Sequence, residues 1–331
     1  MALRLVDIYH SDDDAPLDVP NDTYDVLGHW TYRIDEKKRV DRVLLEVEDT
    51  EPFLDWVDDT VITEYRVVLQ AVEATVPRPE VEDEEPEEEA TEDEEVSVGR
   101  IGRAELYEYA RGAVDVSGYY YALTALSVIV AAGGMLRDQT AVVIGAMVIA
   151  PLIGPNLALA LGTTLGDTDL LARAAWANLT GVALALGGAL GLGALVPVDP
   201  ATSELAARTV IGIVDIALAA AAGAAGALAI TRGGATGLVG VMVAVALLPP
   251  LVATGLLLGA GHPLAALRAG LLTVTNVVSL NLAAVTTFLV LGVWPRHWRD
   301  VEQARASTRL ALALWGGAVL VLAVVLWFFF G

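Results

Sequence analysis

Hydrophobic positions follow two different rhythms along this chain. Up to about residue 76 they come in short runs broken by polar residues and turns. From residue 118 onward they fill stretches of about 20 residues almost without interruption. In the first part, LRLVDIY (3–9) alternates like a strand, and a polar stretch with a weakly specified short helix near 20–27 follows. HWTYRID and RVDRVLLEVE flank the turn EKK and predict a β-hairpin. EPFLDWVDDTV (51–61) predicts a short helix with Phe53, Leu54 and Trp56 or Val57 as its buried face, and EYRVVLQAVEATV (64–76) a closing strand. The order βαββαβ is that of an α+β ferredoxin-like split unit over residues 1–76.

The long apolar stretches set the second part. A bilayer core needs about 20 apolar residues per helix. Spans are predicted at 118–136, 139–165, 174–196, 207–230, 235–260, 269–293 and 310–330, seven in all. Residues 77–98 contain EVEDEEPEEEATEDEE, which cannot bury apolar surface and reads as an acidic disordered linker. GRIGRAELYEYARGAVDV then predicts a juxtamembrane amphipathic helix over 99–117, with Ile101, Leu106, Tyr109 and Ala110 on one side. The transmembrane domain is 118–331. The fold class is therefore a mainly α-helical polytopic membrane protein with a soluble α+β front.

Within the second part, one stretch returns. VIGAMVIAPLIGPNLALALG (143–162) aligns without gaps to LVGVMVAVALLPPLVATGLL (238–257), an offset of 95 residues. Gly145 matches Gly240, Met147 matches Met242, Pro155 matches Pro250, Gly166 matches Gly261 and Arg173 matches Arg268. Ten of the 33 positions from 143 to 175 are identical, and the Met, Pro and Arg matches carry the weight in so Ala- and Leu-rich a sequence. The offset spans three helices. Because three is odd, the second copy runs the opposite way across the bilayer, which predicts a 3+3 inverted repeat with a seventh helix added.

Both copies carry prolines where a membrane helix ordinarily runs on. Pro151 and Pro155 free the carbonyls of Met147 and Pro151, since proline has no N–H to donate. Two readings follow. Pro151, Pro155, Pro249 and Pro250 kink helices so that they pack, or they break them and build a site. Paired, Gly/Pro-interrupted helices in inverted halves point to a transporter's binding site at mid-membrane. On the second reading the first helix ends near Ala150 and resumes at Pro155, a favoured first helical position beside Asn156. A second break is expected around Leu248–Pro250. The pathway residues are then Met147, Pro151, Gly154, Pro155 and Asn156 in one copy and Leu248, Pro249 and Pro250 in the other. Asp215, if the fourth span starts near Arg208, lies well inside it and is a pathway candidate, with an interfacial or structural role as the alternative. Asn178, Asn276, Ser279 and Asn281 lie on the third and sixth helices. Interhelical hydrogen bonding is the plainer role, favoured for Ser279 and left open for the asparagines.

Charge separates the same two parts. The net charge is −22. Residues 1–79 hold 19 acidic and 8 basic side chains, 80–95 hold 12 acidic and no basic ones, and 96–331 hold 11 and 12. With two lysines against 18 arginines, the acidic front reads as adapted to a salt-rich cytoplasm, or else as an ordinary acidic domain with an acidic tail. The positive-inside rule puts nine arginines of the second part inside and three, Arg137, Arg208 and Arg268, outside. The N-terminus is then cytoplasmic and the C-terminus outside. The absence of cysteine excludes thiolate chemistry, and the four histidines are scattered without metal-ligand spacing. No phosphate-binding loop or nucleophile elbow is found, so neither an enzyme nor any cofactor or metal is expected. The acidic front disfavours nucleic acid.

At IGAMVIAPLIGPNLALALGTTLGD the chain resembles the uncharacterised hydrophobic-domain family of archaeal and bacterial membrane proteins called domain of unknown function 389, in a haloarchaeal-type form. The Gly-Ala-Met start, the Pro-x-x-Gly-Pro core and the closing Gly166–Asp167 carry the resemblance, which covers roughly 100–295. It implies an integral membrane protein and no particular substrate. Taken with the broken-helix pattern, it leads to the expectation of a transporter or channel for a small ion or polar solute, in the cell membrane and homo-oligomeric. The alternative is a membrane-anchored sensor or scaffold in which the α+β domain binds a ligand or partner.

Overall fold

The computed structural model of the chain describes residues 3–11, 17, 19–20, 23–35, 38–60, 65–72, 102–232 and 236–293, with 317–318, 320–321 and 323–324; for 236–246 it describes the backbone alone. The chain divides into two compact units, Met1–Glu105 and Leu106–Gly331. The acidic run at 77–98 lies outside the described residues.

In the first unit the alternating stretches form strands β1 (Leu3–Ser11), β2 (Val26–Arg33), β3 (Lys38–Glu46) and β4 (Arg66–Val72), and the apolar-striped segment forms helix α1 (Val47–Thr60). The sheet is antiparallel, in the order β2-β3-β1-β4. Alternation sends Val6, Ile8, Val43 and Leu45 to the face that α1 covers with Phe53 and Val57. Trp56 stacks on Phe53 at 5.6 Å and Tyr24 meets Phe53 edge-on at the same distance. The short helix expected near 20–27 is not formed there. Thr23 and Tyr24 donate their N–H groups to the Pro20 carbonyl in a turn, and Val26 already belongs to β2. That segment has no apolar stripe of its own, and Tyr24 serves it better as a cap on the Phe53 ring.

The expected juxtamembrane helix is α2 (Arg103–Ala113), and the unit boundary falls inside it. The second unit continues with α3 (Gly118–Leu136), α4 (Thr140–Ile149), α5 (Ile153–Leu165), α6 (Thr168–Leu195), the short α7 (Ser203–Ala207), α8 (Ile213–Thr231), α9 (Thr236–Gly259) and α10 (Pro263–Val290). Among the described residues, α3, α6, α8 and α10 are long and apolar enough to cross a membrane, and α4 with α5 makes a fifth such span, bent by 54°. The stretch 235–260, expected as a span, is helical as α9, whose part Leu247–Gly259 is a shorter apolar helix. The seventh, at 310–330, lies mostly outside the described residues, and those of its residues that are described are helical.

Apolar side chains cover the outside of this unit. Leu126, Ile129, Leu179, Val214 and Leu218 are all more than half exposed, while buried positions include Asn156, Asn276 and Asn281. Water does not favour such an arrangement, and the second unit is compatible with a multi-pass membrane protein.

Small residues let the helix backbones touch. A Cβ on Gly223 of α8 would collide with the Leu280 carbonyl of α10, and one on Gly255 of α9 would lie 2.5 Å from Ala189 Cβ of α6. Such contacts suit helices that gain nothing from burying apolar surface against lipid. The helix ends at the two matched glycines are alike. Gly166 closes α5 at φ 67°, with bonds from its own N–H to Thr163 and from Asp167 to Gly162. Gly261 follows α9 at φ 82°, with bonds from its N–H to Leu258 and from His262 to Leu257. Both pairs are the bonds of a glycine-closed helix end, and they recur 95 residues apart.

Gly223→Val is expected to lower stability by about 1–3 kcal/mol through the clash with the Leu280 backbone. Gly187→Val in α6, where an added Cβ meets nothing within 4 Å, serves as the control, with both read as thermal unfolding midpoints in detergent.

Candidate functional site: asparagines at a broken helix

The stretch 139–165 is two helices. Helix α4 stops at Ile149, and Ala150 is extended at φ −68° and ψ 120°. That is the backbone a residue before proline prefers, because the ring of Pro151 disfavours the helical region for its predecessor. The carbonyl that Pro151 leaves without its N–H is that of Met147. One residue earlier the Ala146 carbonyl keeps the Ala150 N–H and also accepts the Ser127 hydroxyl of α3 at 2.7 Å. Helix α5 resumes at Ile153, two residues before the expected start. Pro155 thus sits third in the helix, where the N–H it lacks has no intrahelical acceptor in any case. No side chain caps this N-terminus. Gly154 faces Ala113 at the end of α2, where a Cβ would approach to 2.9 Å.

The second proline pair does not break its helix. Helix α9 runs from Thr236 to Gly259 through Pro249 and Pro250, so the break expected around Leu248–Pro250 is absent. Leu248, Leu251 and Val252 are buried in one cluster with Met147, Ala150 and Leu152. Packing on both sides of the prolines overrides the local preference there. Thr254 donates its hydroxyl to the Pro250 carbonyl at 2.7 Å. The two motifs do meet: Met147 and Leu152 share a core with Leu248, and Ile153 packs against the cluster of Ala222, Leu247 and Leu280.

Just beyond the break, three asparagines from three helices join. Asn281 of α10 donates to Asn156 Oδ1 of α5 at 3.1 Å, and Asn156 donates to Asn178 Oδ1 of α6 at 2.7 Å. Each also donates to the carbonyl four residues earlier on its own helix: Asn156 to Leu152 at 2.8 Å, Asn178 to Ala174 at 3.0 Å and Asn281 to Val277 at 2.8 Å. Asn156 and Asn281 are buried, and Asn178 is half-buried. Asn276 is buried on another face of α10, five residues before Asn281. Tyr120 of α3 reaches the carbonyl next to Asn178, donating to Ala177 at 2.9 Å, and Gly181 leaves room for its ring oxygen.

Asp215 is placed differently from the expectation. Helix α8 begins at Ile213, so Asp215 lies in its first turn, and its carboxylate accepts from the Gly212 N–H at 2.8 Å. It caps a helix end rather than lining the interior. Asp167 does the same for α6, accepting from Asp169 and Leu170 at 2.9 Å, and Asp169 pairs with Arg173 at 3.0 Å.

The first unit holds a polar cluster that the sequence did not announce. His10 of β1 and His29 of β2 both converge on Asp41 of β3, at 2.6 and 3.2 Å, and the Thr31 hydroxyl donates to the same carboxylate. Burial pushes the Asp41 carboxyl up, but the bonds from Thr31, His10 and His29 together outweigh it and hold it below the usual carboxylate range. These residues are far apart in sequence, and only strand pairing joins them: Thr31 stands opposite Asp41 and β1 lies on the other side. On the other face Arg42 forks onto Asp7 at 2.6 and 2.7 Å, beside the Tyr32 ring. Among the described residues no group of three or more His, Asp or Glu is arranged to hold a metal ion.

A family profile described as domain of unknown function (DUF389) matches residues 147–282, which contain the break and all three asparagines. An uncharacterised protein of Methanocaldococcus jannaschii is 32% identical over 275 residues, 83% of this chain and 83% of that protein. No solved structure matches the chain.

Two measurements check these sites. Asn156→Leu removes the middle member and strands both neighbours, so it is expected to cost about 1–2 kcal/mol in thermal unfolding, more than Asn178→Leu at the end of the chain of bonds. Asp41, ionised more readily when folded than when unfolded, contributes stability above about pH 4 that is lost as pH falls through its depressed folded value. Hydrogen exchange of β1 and β3 in the full chain is expected to accelerate over that acid range, and Asp41→Asn to remove that pH dependence while costing about 3 kcal/mol at neutral pH.

Proposed function

The chain belongs to the DUF389 family, and on that premise we propose that its helical unit is a transporter or channel for a small ion or polar solute. The observation that carries this reading is that the helix broken at 150–152 brings Asn156 into a hydrogen-bonded chain with Asn178 and Asn281 inside a largely apolar bundle. An extended backbone and buried amides inside an apolar bundle are costly unless they serve a passenger or are fully paired among themselves. The partner helix is α9, whose buried Pro249 and Pro250 stand between Leu248 and Leu251 of the core that holds Met147. One break rather than two then suffices for the site.

The 3+3 inverted repeat is part of the same proposal. The paired glycine-closed ends at Gly166 and Gly261 support it, and so does the cross-packing of α6 on α9 and α5 on α10, which would exchange equivalent helices between halves. The unit sits in the cell membrane with the N-terminus cytoplasmic, in keeping with the arginine distribution. The first unit is then a cytoplasmic regulator or oligomerisation piece, its sheet order fitting a ferredoxin-like domain without its first helix. A homo-oligomer in a salt-rich cell fits its acidic composition. The sensor reading draws on Trp30, half exposed, and Tyr32, more than a third exposed, both on edge strand β2.

The chain has no cysteine, so single cysteines can be placed at 150–157 and 245–252 for labelling in cells with water-soluble reagents. Transport predicts that residues of the first stretch react from at least one side and are protected by the passenger. If both stretches stay unreactive from either side, the transport reading fails.

A further inference from the structure

We propose that the asparagine cluster is a binding site for a small monovalent cation, a metal ion or ammonium, and not for an anion. This names the passenger class and rests on the transport reading above. The hydrogen bonds of the cluster have a fixed direction. An asparagine amide can be turned over, but here each Nδ2 faces the carbonyl four residues back, at Leu152, Ala174 and Val277, and a carbonyl can only accept. The three amides are therefore oriented one way, with donation running from Asn281 to Asn156 to Asn178.

Counting protons then shows what is left over. Asn156 spends both N–H groups, on Leu152 and Asn178, and Asn281 spends both, on Val277 and Asn156. Asn281 Oδ1 remains, buried and with no hydrogen-bond partner among the described residues. The Ser279 hydroxyl is also buried without a partner among the described residues, but two positions away it lies on another face of α10 and is not part of this site. A buried amide oxygen whose own amide protons are already committed offers a place to a donor or a cation and nothing to an anion. The cluster carries no carboxylate, so a single positive charge suits it and a divalent ion, which is ordinarily held by carboxylates, does not. The end of α4 adds to the preference, because the Met147 carbonyl has lost the N–H that Pro151 lacks, and helix C-termini are partly negative. The competing feature is the uncapped N-terminus of α5, whose polarity favours an anion. The test must therefore include anions.

The full chain in detergent is titrated with NaCl, KCl and NH4Cl against choline chloride at constant ionic strength, and thermal stabilisation is read. The same protein in liposomes is assayed for flux of these cations and of chloride and nitrate. Saturable stabilisation by at least one small cation over choline is expected, with the half-saturating concentration raised about tenfold or more by Asn281→Leu and unchanged by Thr286→Val, whose exposed hydroxyl bonds the Leu282 carbonyl away from the cluster. Should Asn281→Leu not fold, Asn281→Ser withdraws the oxygen without adding apolar bulk and is expected to act alike. Flux of anions alone, or a cation response untouched at Asn281, overturns the cation site and leaves transport standing. A cation response lost at Asn281 but without any flux keeps the site and overturns transport. Neither response in the wild-type chain overturns both.

Discussion

A proline nitrogen has no proton to donate, and in an apolar surrounding no water stands by to replace it. At Pro151 that constraint organises the second unit. The helix stops, Ala150 turns extended, and the bundle must find partners for the backbone it has released. Ser127 of α3 joins the Ala150 N–H on the Ala146 carbonyl at this helix end, and the resumed helix α5 is set at 54° to the first. That bend carries Asn156 to where α6 and α10 can reach it.

The same chemistry has the opposite outcome in α9. Two adjacent prolines there remove two consecutive bonds, yet the helix persists, with Leu248 buried beside Met147 and Leu152. Local preference proposes a break in both places, and the packing around each decides. Glycine helps in a different way, by allowing α8 to press against the α10 backbone at Gly223 and α9 against α6 at Gly255. The bundle is thus held by close backbone contact and interhelical hydrogen bonds.

Two polar centres result, of different character. In the sheet, Asp41 collects a threonine and two histidines and is satisfied on both oxygens. It is a closed centre, stabilising the strand order it depends on. In the bundle, the asparagines form a directed chain whose first member keeps an unused acceptor. That unused acceptor, buried in the bundle, is the feature on which the proposed cation site rests.

Much of this was legible from the residues alone. Alternation in 3–9 and around the EKK turn marked the strands, because a half-buried sheet has a period of two. Apolar run lengths marked the helices, and Pro151 with Ala150 marked a break, since the restriction is local to that dipeptide. What local pattern cannot carry is which distant groups meet. The meeting of His10, His29 and Asp41 depended on strand order, and that of Asn156, Asn178 and Asn281 on three helices crossing at one level. Asp215 looked like an interior charge until the start of α8 at Ile213 made it a cap. The continuity of α9 and the open oxygen of Asn281 were likewise decided in three dimensions, because burial and hydrogen-bond accounting belong to neighbours that the sequence keeps far apart.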